Sequence, residues 1–201
     1  GLSILLEYLE AGGGDIRLRM SDRTAFTVGE DVATAPGKVV FETDMMQLLQ
    51  FSPTTETVAR RPLLIVPPWI NKYYILDLRP KNSFIRWATD QGLTVFVISW
   101  VNPDARHKDK DFVDYMTEGP LAALDAVREA TGEPDVNLIG YCIGGTLTAA
   151  MLAYLEAKGE ADRIASATFF AALVGFEAAG GDRAYVAEAQ VSETGAQADH
   201  R

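Results

Sequence analysis

The chain has 201 residues, of which 48% are hydrophobic and 23% charged, a balance that is ordinary for a globular protein and predicts a sizeable core. Its formal net charge of −10 disfavours nucleic acid as a partner, because phosphate binding requires a concentrated basic surface. No apolar run approaches the roughly 18 residues of a transmembrane segment, and a single cysteine excludes an intramolecular disulfide and favours a reducing cytoplasm.

The sequence of the first third of the chain predicts one short helix and two short strands. An amphipathic helix is expected over Ser3–Glu10, ended by the glycine run at 12–14, and an irregular segment then continues to Lys38. Two short strands follow, at Val39–Phe41 and Gln47–Phe51. We interpret residues 1–61 as an N-terminal segment that leads into the main domain.

From Pro62 onward, strand and helix patterns alternate. Strands are predicted at Leu63–Val66, Thr94–Ile98, Val136–Ile139 and Ala167–Leu173, and helices at Ser83–Asp90, Leu121–Ala130 and Thr146–Lys158. Continuous apolar strands that alternate with helices predict a mostly parallel sheet with helices on both faces, an α/β fold over residues 62–175. Residues 176–201 are rich in alanine, glycine and acidic residues, and we expect an irregular tail there.

One pentapeptide stands between a predicted strand and a predicted helix. Residues 140–144 read Gly-Tyr-Cys-Ile-Gly, the G-x-nucleophile-x-G form of a nucleophile elbow with Cys142 at its tip. In such an elbow a sharp turn lifts the nucleophile above the sheet, and the amides at the helix N-terminus stabilise an oxyanion. The alternative is a buried packing cysteine, since free cysteine is among the most buried residue types.

A second segment has the chain order that this kind of site requires. The strand Leu63–Val66 runs into Pro67-Pro68, and in α/β-hydrolases the loop after that strand supplies an oxyanion amide. Ile70 is our candidate donor in this loop, with Ile143, next after the cysteine, as its partner.

Four side chains in the same loop are candidates to line the site: Trp69, Asn71, Tyr74 and Asp77. The aromatic residues, with Tyr73, are alternatively core residues. Asp77 is either a site carboxylate or the structural ion partner of Arg79, and its spacing does not decide between them.

Long strings of this sequence resemble one family. They are LLIVPPWINKYYILDL at 63–78, FVISWVNP at 96–103 and GYCIGGT at 140–146, with PGKVV at 36–40 and EGPLAALD at 118–125. In these strings the chain resembles the polyhydroxyalkanoate synthases, closest to class I, from about Gly1 to Val174. The resemblance implies an α/β-hydrolase fold with Cys142 as nucleophile, and Asp77 matches an aspartate near the site that affects activity.

The resemblance also implies a reaction and a location. Such enzymes polymerise (R)-3-hydroxyacyl-CoA, here 3-hydroxybutyryl-CoA, into a growing polyester and release CoA, as cytoplasmic homodimers at the surface of storage granules. No metal and no cofactor is expected. Cysteine suits this chemistry, because transfer from CoA exchanges one thioester for another and keeps the acyl group activated for the next hydroxyl.

The sequence departs from the family in its acid and base residues. In this fold the aspartate and histidine follow the nucleophile in the chain, but the two histidines are His107, before the elbow, and His200, in the tail. We expect His107 to be solvent-exposed in its charged loop, and we do not assign His200 as the base. After Val174 the likeness ends, with Gly175 where an aspartate is expected. We therefore expect a truncated chain, incomplete at its C-terminus and inactive or nearly so.

Two other functions remain open at this point. One is a cysteine-dependent α/β-hydrolase, such as a thioesterase or a dienelactone-hydrolase-like enzyme, which would release free acid without polymer. The other is a non-catalytic fragment or granule-associated module in which the elbow has no catalytic role.

Overall fold

A six-stranded sheet organises the computed structural model, which describes residues 24–175 together with Leu9 and Asp22. The strands are β1 (Gly37–Glu42), β2 (Met46–Phe51), β3 (Leu63–Val66), β4 (Asp77–Arg79), β5 (Asn82–Ser83), β6 (Val95–Trp100), β7 (Val136–Tyr141) and β8 (Ile164–Phe170). The large sheet has the order β1-β2-β6-β3-β7-β8, and β4 and β5 form a separate antiparallel pair.

The sheet is parallel except at one end. Strands β6, β3, β7 and β8 run parallel to one another, whereas β2 pairs antiparallel with both β1 and β6. All four residues of β3 are buried, as is expected of a strand covered on both faces. The carboxyl ends of the central strands therefore open on the same edge of the sheet.

Among residues 24–175, four α-helices cover the two faces of the sheet. They are α1 (Phe84–Asp90), α2 (Phe112–Met116), α3 (Ala122–Thr131) and α4 (Ile143–Lys158). One core lies beneath α2, α3 and α4 and includes Leu64, Phe96 and Leu138, and the other packs α1 against Ile65 and Val97. Alternate residues of β3, β6 and β7 thus enter opposite cores. In the part of the chain that the structure describes, no helix is long and apolar enough to cross a bilayer.

The predicted elements between 39 and 158 are confirmed within a few residues. The last strand is wrong in position: it covers Ile164–Phe170 rather than 167–173, because its first residues pair with β7 although three of them are small or polar. Helix α4 begins at Ile143, three residues before its predicted start, so two glycines are helical. The helix predicted over residues 3–10 lies outside the described residues except for Leu9, and the predicted tail at 176–201 lies wholly outside them.

Candidate active site

Cys142 occupies the turn between β7 and α4. Strand β7 ends at Tyr141 and α4 begins at Ile143, so the cysteine alone connects them. Its backbone has φ 54° and ψ −127°, a conformation that residues with a Cβ rarely adopt. Such strain persists only where the surroundings hold it, and it is typical of active sites. The side chain is half-buried, so sulfur is neither sealed in the core nor fully exposed.

Glycine is required on both sides of the cysteine because backbones approach closely there. A Cβ at Gly144 would stand 2.3 Å from the Val66 carbonyl oxygen, and one at Gly140 would stand 2.6 Å from the Cα of Gly145. Real Cβ atoms essentially never come that close to backbone atoms. The N-terminus of α4 therefore packs directly against the end of β3, where the predicted oxyanion loop begins.

Hydrogen bonds to the neighbouring strands hold the elbow in place. The Cys142 amide donates to the Phe170 carbonyl (2.9 Å), which ties the turn to β8. The Trp100 indole N–H donates to the Pro67 carbonyl (2.8 Å), in the peptide against which Gly144 packs. The sequence analysis did not predict this role of Trp100. The available signal was a tryptophan close to the carboxyl end of a predicted buried strand, because a buried indole N–H usually finds a hydrogen-bond acceptor.

The two candidate oxyanion amides lie on adjoining segments. The Ile143 amide is the first of α4, where helix N–H groups have no intrahelical acceptor. Ile70 lies in a turn closed by a hydrogen bond from the Asn71 amide to the Pro68 carbonyl (3.4 Å), a bond that does not use the Ile70 amide. Ile70 is 73% exposed, so its predicted role in the site belongs to its backbone amide and not to its side chain. The role of the Ile143 and Ile70 amides as a pair of oxyanion donors remains a prediction.

Trp69 and Tyr74 both pack against other aromatic rings. The Trp69 ring centroid is 4.8 Å from that of Tyr115 and 6.1 Å from that of Trp100, and Tyr74 lies 5.5 Å from Tyr73. Burial is the main cause that raises the pKa of the Tyr73 phenol. Trp69 also borders a cleft of about 200 Å³, lined by Trp69, Ile70, Asn71, Lys72, Trp100 and Asn102. The structure thus brings Trp69, Ile70 and Asn71 together in one cleft, whose lining does not include Tyr74 or Asp77.

Asp77 is completely buried and anchors the N-terminal segment. One carboxylate oxygen accepts the Ala35 amide (2.8 Å), and its main-chain carbonyl accepts the Ala33 amide (2.8 Å). The other carboxylate oxygen has no hydrogen-bond partner among residues 24–175. The alternative of an ion pair with Arg79 is wrong, because Arg79 Nε donates to Asn82 (2.6 Å). A role for Asp77 in the site remains a prediction.

The expectation that His107 is exposed is wrong, because its side chain is only 5% accessible. Asp104 caps the short helix Ala105–His107, and the imidazole Nδ1 accepts the Asp104 amide (3.2 Å) while Nε2 lies 3.2 Å from the Asp44 carbonyl. The Arg106 guanidinium beside it lowers the pKa of Asp104 to about 2. Both ring nitrogens thus have partners other than Cys142. His200 lies outside the described residues, within which no group of three metal-binding side chains occurs.

The strand order and the elbow together define the class of protein. Numbered along the chain within the large sheet alone, the six strands have the order 1-2-4-3-5-6 with the second antiparallel, and the nucleophile follows the fifth. This arrangement, with a strained residue between that strand and the next helix, is the α/β-hydrolase fold.

Comparison with known proteins identifies the family. Residues 1–88 match the family model described as poly-beta-hydroxybutyrate polymerase (PhaC) N-terminus. Over 95% of its length the chain is 58% identical to a poly(3-hydroxyalkanoate) polymerase of Methylorubrum extorquens, and over 88% it is 43% identical to the polymerase subunit PhaC of Cupriavidus necator. The chain therefore belongs to the poly(3-hydroxyalkanoate) polymerase family. It spans 31% and 29% of the length of these two curated relatives.

The solved structure of brefeldin A esterase, a bacterial homologue of human hormone sensitive lipase, is also similar. It is 21% identical with a TM-score of 0.44, covering 83% of this chain and 48% of the esterase. The fold assignment rests on the strand order and the elbow.

Proposed function

We propose that Cys142 is the nucleophile of an acyltransferase that polymerises (R)-3-hydroxyacyl-CoA into a polyhydroxyalkanoate. The observation that carries this proposal is the strained backbone of Cys142, with φ 54°, at the tip of an elbow held by glycine contacts. A packing cysteine needs no such conformation, whereas a nucleophile presented above the sheet does.

Loading is a thioester exchange. The thiolate of Cys142 attacks the acyl carbonyl carbon, a new carbon–sulfur bond forms, the bond to CoA sulfur breaks, and the CoA thiolate leaves and takes a proton. During attack the amides of Ile143 and Ile70 stabilise the carbonyl oxygen, which becomes negative. Because one thioester replaces another, the step is close to balanced in free energy and needs no other energy source.

Elongation uses the hydroxyl of the next monomer. Its oxygen attacks the carbonyl of the Cys142 thioester, an ester bond forms, the carbon–sulfur bond breaks, and the hydroxyl proton passes to a base. The lengthened acyl-CoA then reloads the cysteine. Sulfur suits this cycle because a thioester remains a good acyl donor, and exclusion of water by aromatic residues such as Trp69 protects it from hydrolysis.

The base is not among the described residues. His107 is engaged by Asp104 and Asp44, so it has no free nitrogen for the cysteine. We therefore propose that the 201-residue chain alone accepts one acyl group on Cys142 slowly, with release of CoA, and does not sustain turnover. For the full catalytic assembly we propose a homodimer at the surface of cytoplasmic storage granules, with 3-hydroxybutyryl-CoA as substrate.

The test mixes the purified chain with 3-hydroxybutyryl-CoA and measures intact mass and free CoA. An acyl or oligomeric adduct on Cys142, released with CoA and absent from Cys142→Ala, supports the proposal. Turnover to free acid without any polymer indicates a cysteine-dependent hydrolase instead. Neither adduct nor CoA indicates a non-catalytic module, and CoA release that persists in Cys142→Ala refutes both cysteine mechanisms.

A further inference from the structure

The cleft beside the predicted oxyanion loop contains an exposed lysine. Lys72 lies two residues beyond Ile70 and lines the same cleft of about 200 Å³. Its ammonium donates to the Asn102 side-chain oxygen, on the loop that follows β6. A neutral partner fixes the position of the ammonium without cancelling its charge, and two of its three N–H groups remain available.

The other cation near this edge is neutralised. A neighbouring cleft of about 340 Å³ shares Trp100 and Asn102 with the first and is bordered by Arg106, but also by Glu42 and Asp44. The Arg106 guanidinium donates to both carboxylate oxygens of Asp104 at 3.0 to 3.1 Å. Within residues 24–175, Lys72 is thus the cation of these two clefts that has no carboxylate within 4.0 Å.

This unpaired charge matters because the chain as a whole is acidic. With a formal net charge of −10, the protein repels a polyanion at long range, so a phosphate-bearing substrate needs a local positive site. The two residues from Ile70 to Lys72 span at most about 7 Å of backbone. Lys72 is therefore close in the chain to the amide that is proposed to contact the acyl carbonyl, and both residues line the same cleft.

We infer that Lys72 binds the phosphate groups of the acyl-CoA, with Asn102 as the residue that positions its ammonium. The inference rests on the proposed function for the identity of the substrate. It assigns to the cleft of Trp69, Ile70 and Asn71 the entry of the CoA arm, with the acyl carbonyl at the inner end and the phosphates at the rim.

Binding of free CoA to the full 201-residue chain, measured by calorimetry, tests this assignment. Lys72→Gln should weaken CoA binding about tenfold, the effect of one charge-assisted hydrogen bond at an exposed site, and Lys72→Arg should largely restore it. Pantetheine, which lacks phosphate, should bind both proteins equally, and the difference for CoA should shrink at 1 M salt. ADP should compete with CoA in the unsubstituted chain.

Lys158→Gln is the matched control. It removes the same charge at the far end of α4, 16 residues or about 24 Å from Cys142, and should change CoA binding less than twofold. The inference is overturned if Lys72→Gln binds CoA as tightly as the unsubstituted chain does, or if that chain does not prefer CoA to pantetheine.

A phosphate-free substrate separates this inference from the proposed function. Cys142 should be acylated by the N-acetylcysteamine thioester of 3-hydroxybutyrate equally in the unsubstituted chain and in Lys72→Gln. If that acylation occurs but the affinity for CoA is the same in Lys72→Gln as in the unsubstituted chain, only the assignment of Lys72 fails. If CoA binding depends on Lys72 but no thioester acylates Cys142, the proposed chemistry alone fails.

Discussion

Replacing Cys142 by glycine and by alanine tests whether the elbow stores backbone strain. Both variants lack sulfur, so both should release no CoA through residue 142, and their difference in stability reports on the backbone alone. At an ordinary position glycine is less stable than alanine by about 0.5–1 kcal/mol, because it loses more conformational freedom on folding. At Cys142 we expect the opposite order.

The magnitude follows from the observed dihedral angles. With φ 54° and ψ −127°, residue 142 lies in a region that glycine adopts freely and that costs other residues about 1–3 kcal/mol. Subtracting the entropic disadvantage of glycine leaves Cys142→Gly more stable than Cys142→Ala by about 1 kcal/mol. With a urea m-value of about 2 kcal/mol/M, this corresponds to a shift of about 0.5 M in the unfolding midpoint.

The assay is urea unfolding monitored by circular dichroism, with a control in the helix that follows. Ala153→Gly changes an exposed residue inside α4, where ordinary helical dihedrals apply, and should lower stability by about 1 kcal/mol. The reasoning is refuted if Cys142→Gly unfolds at a lower urea concentration than Cys142→Ala while the m-values agree.

Three further changes test other contacts. Gly144→Ala would place its Cβ 2.3 Å from the carbonyl oxygen at the end of β3, so we expect a loss of about 2 kcal/mol in urea unfolding and a roughly hundredfold slower acylation by intact mass. Asp77→Ala would leave the partly buried Ala35 amide without its acceptor and should cost about 1–2 kcal/mol in urea unfolding, with Asp77→Asn costing less. Arg106→Gln should raise the pKa of Asp104, followed by carboxyl NMR, from about 2 toward its ordinary 3.8. Because the folded-state pKa is the lower one, the stabilisation from this pair is complete above about pH 4 and is lost as pH falls through 2.

Each of these changes has an outcome that contradicts it. Gly175→Ala, where a Cβ meets nothing within 4 Å, is the control for Gly144, and equal effects at both positions would remove the argument from close contact. Unfolding of Asp77→Ala at the same urea concentration as the unsubstituted chain would show that the Ala35 hydrogen bond contributes nothing. If the pKa of Asp104 stays at about 2 in Arg106→Gln, the low pKa comes from the helix-cap hydrogen bond of the residue 106 amide and not from the guanidinium.

Sequence patterns predicted the elements of the sheet but not their arrangement. The runs of β3, β6 and β7 are mostly buried and apolar, with Ser99 and Asn137 as polar exceptions, so each was identified from composition. Nothing in those runs specifies that β3 lies between β6 and β7, since strand order depends on long-range pairing. The start of β8 was missed because its Ala165 and Ser166 are exposed and carry no apolar signal.

The site was predicted where it depends on local spacing and missed where it depends on distant contacts. The elbow follows from two glycines around a cysteine between strand and helix, features within five residues. The burial of His107 could not be read from its charged neighbours, because those neighbours act as a cap and turn outward while the ring turns in. The anchor between Asp77 and Ala35 joins residues 42 positions apart, beyond any local pattern.

The elbow is held by main-chain atoms and by neighbours of Cys142, not by the cysteine side chain itself. Its amide is tied to β8, and its flanking glycines pack against backbone. The contacts that hold the elbow therefore do not depend on whether residue 142 carries sulfur or oxygen as its nucleophilic atom. Exchange of sulfur for oxygen at this one position would change how long an acyl group stays reactive while leaving the surrounding architecture intact, so polymer-forming and ester-cleaving chemistries can be a single atom apart on the same framework.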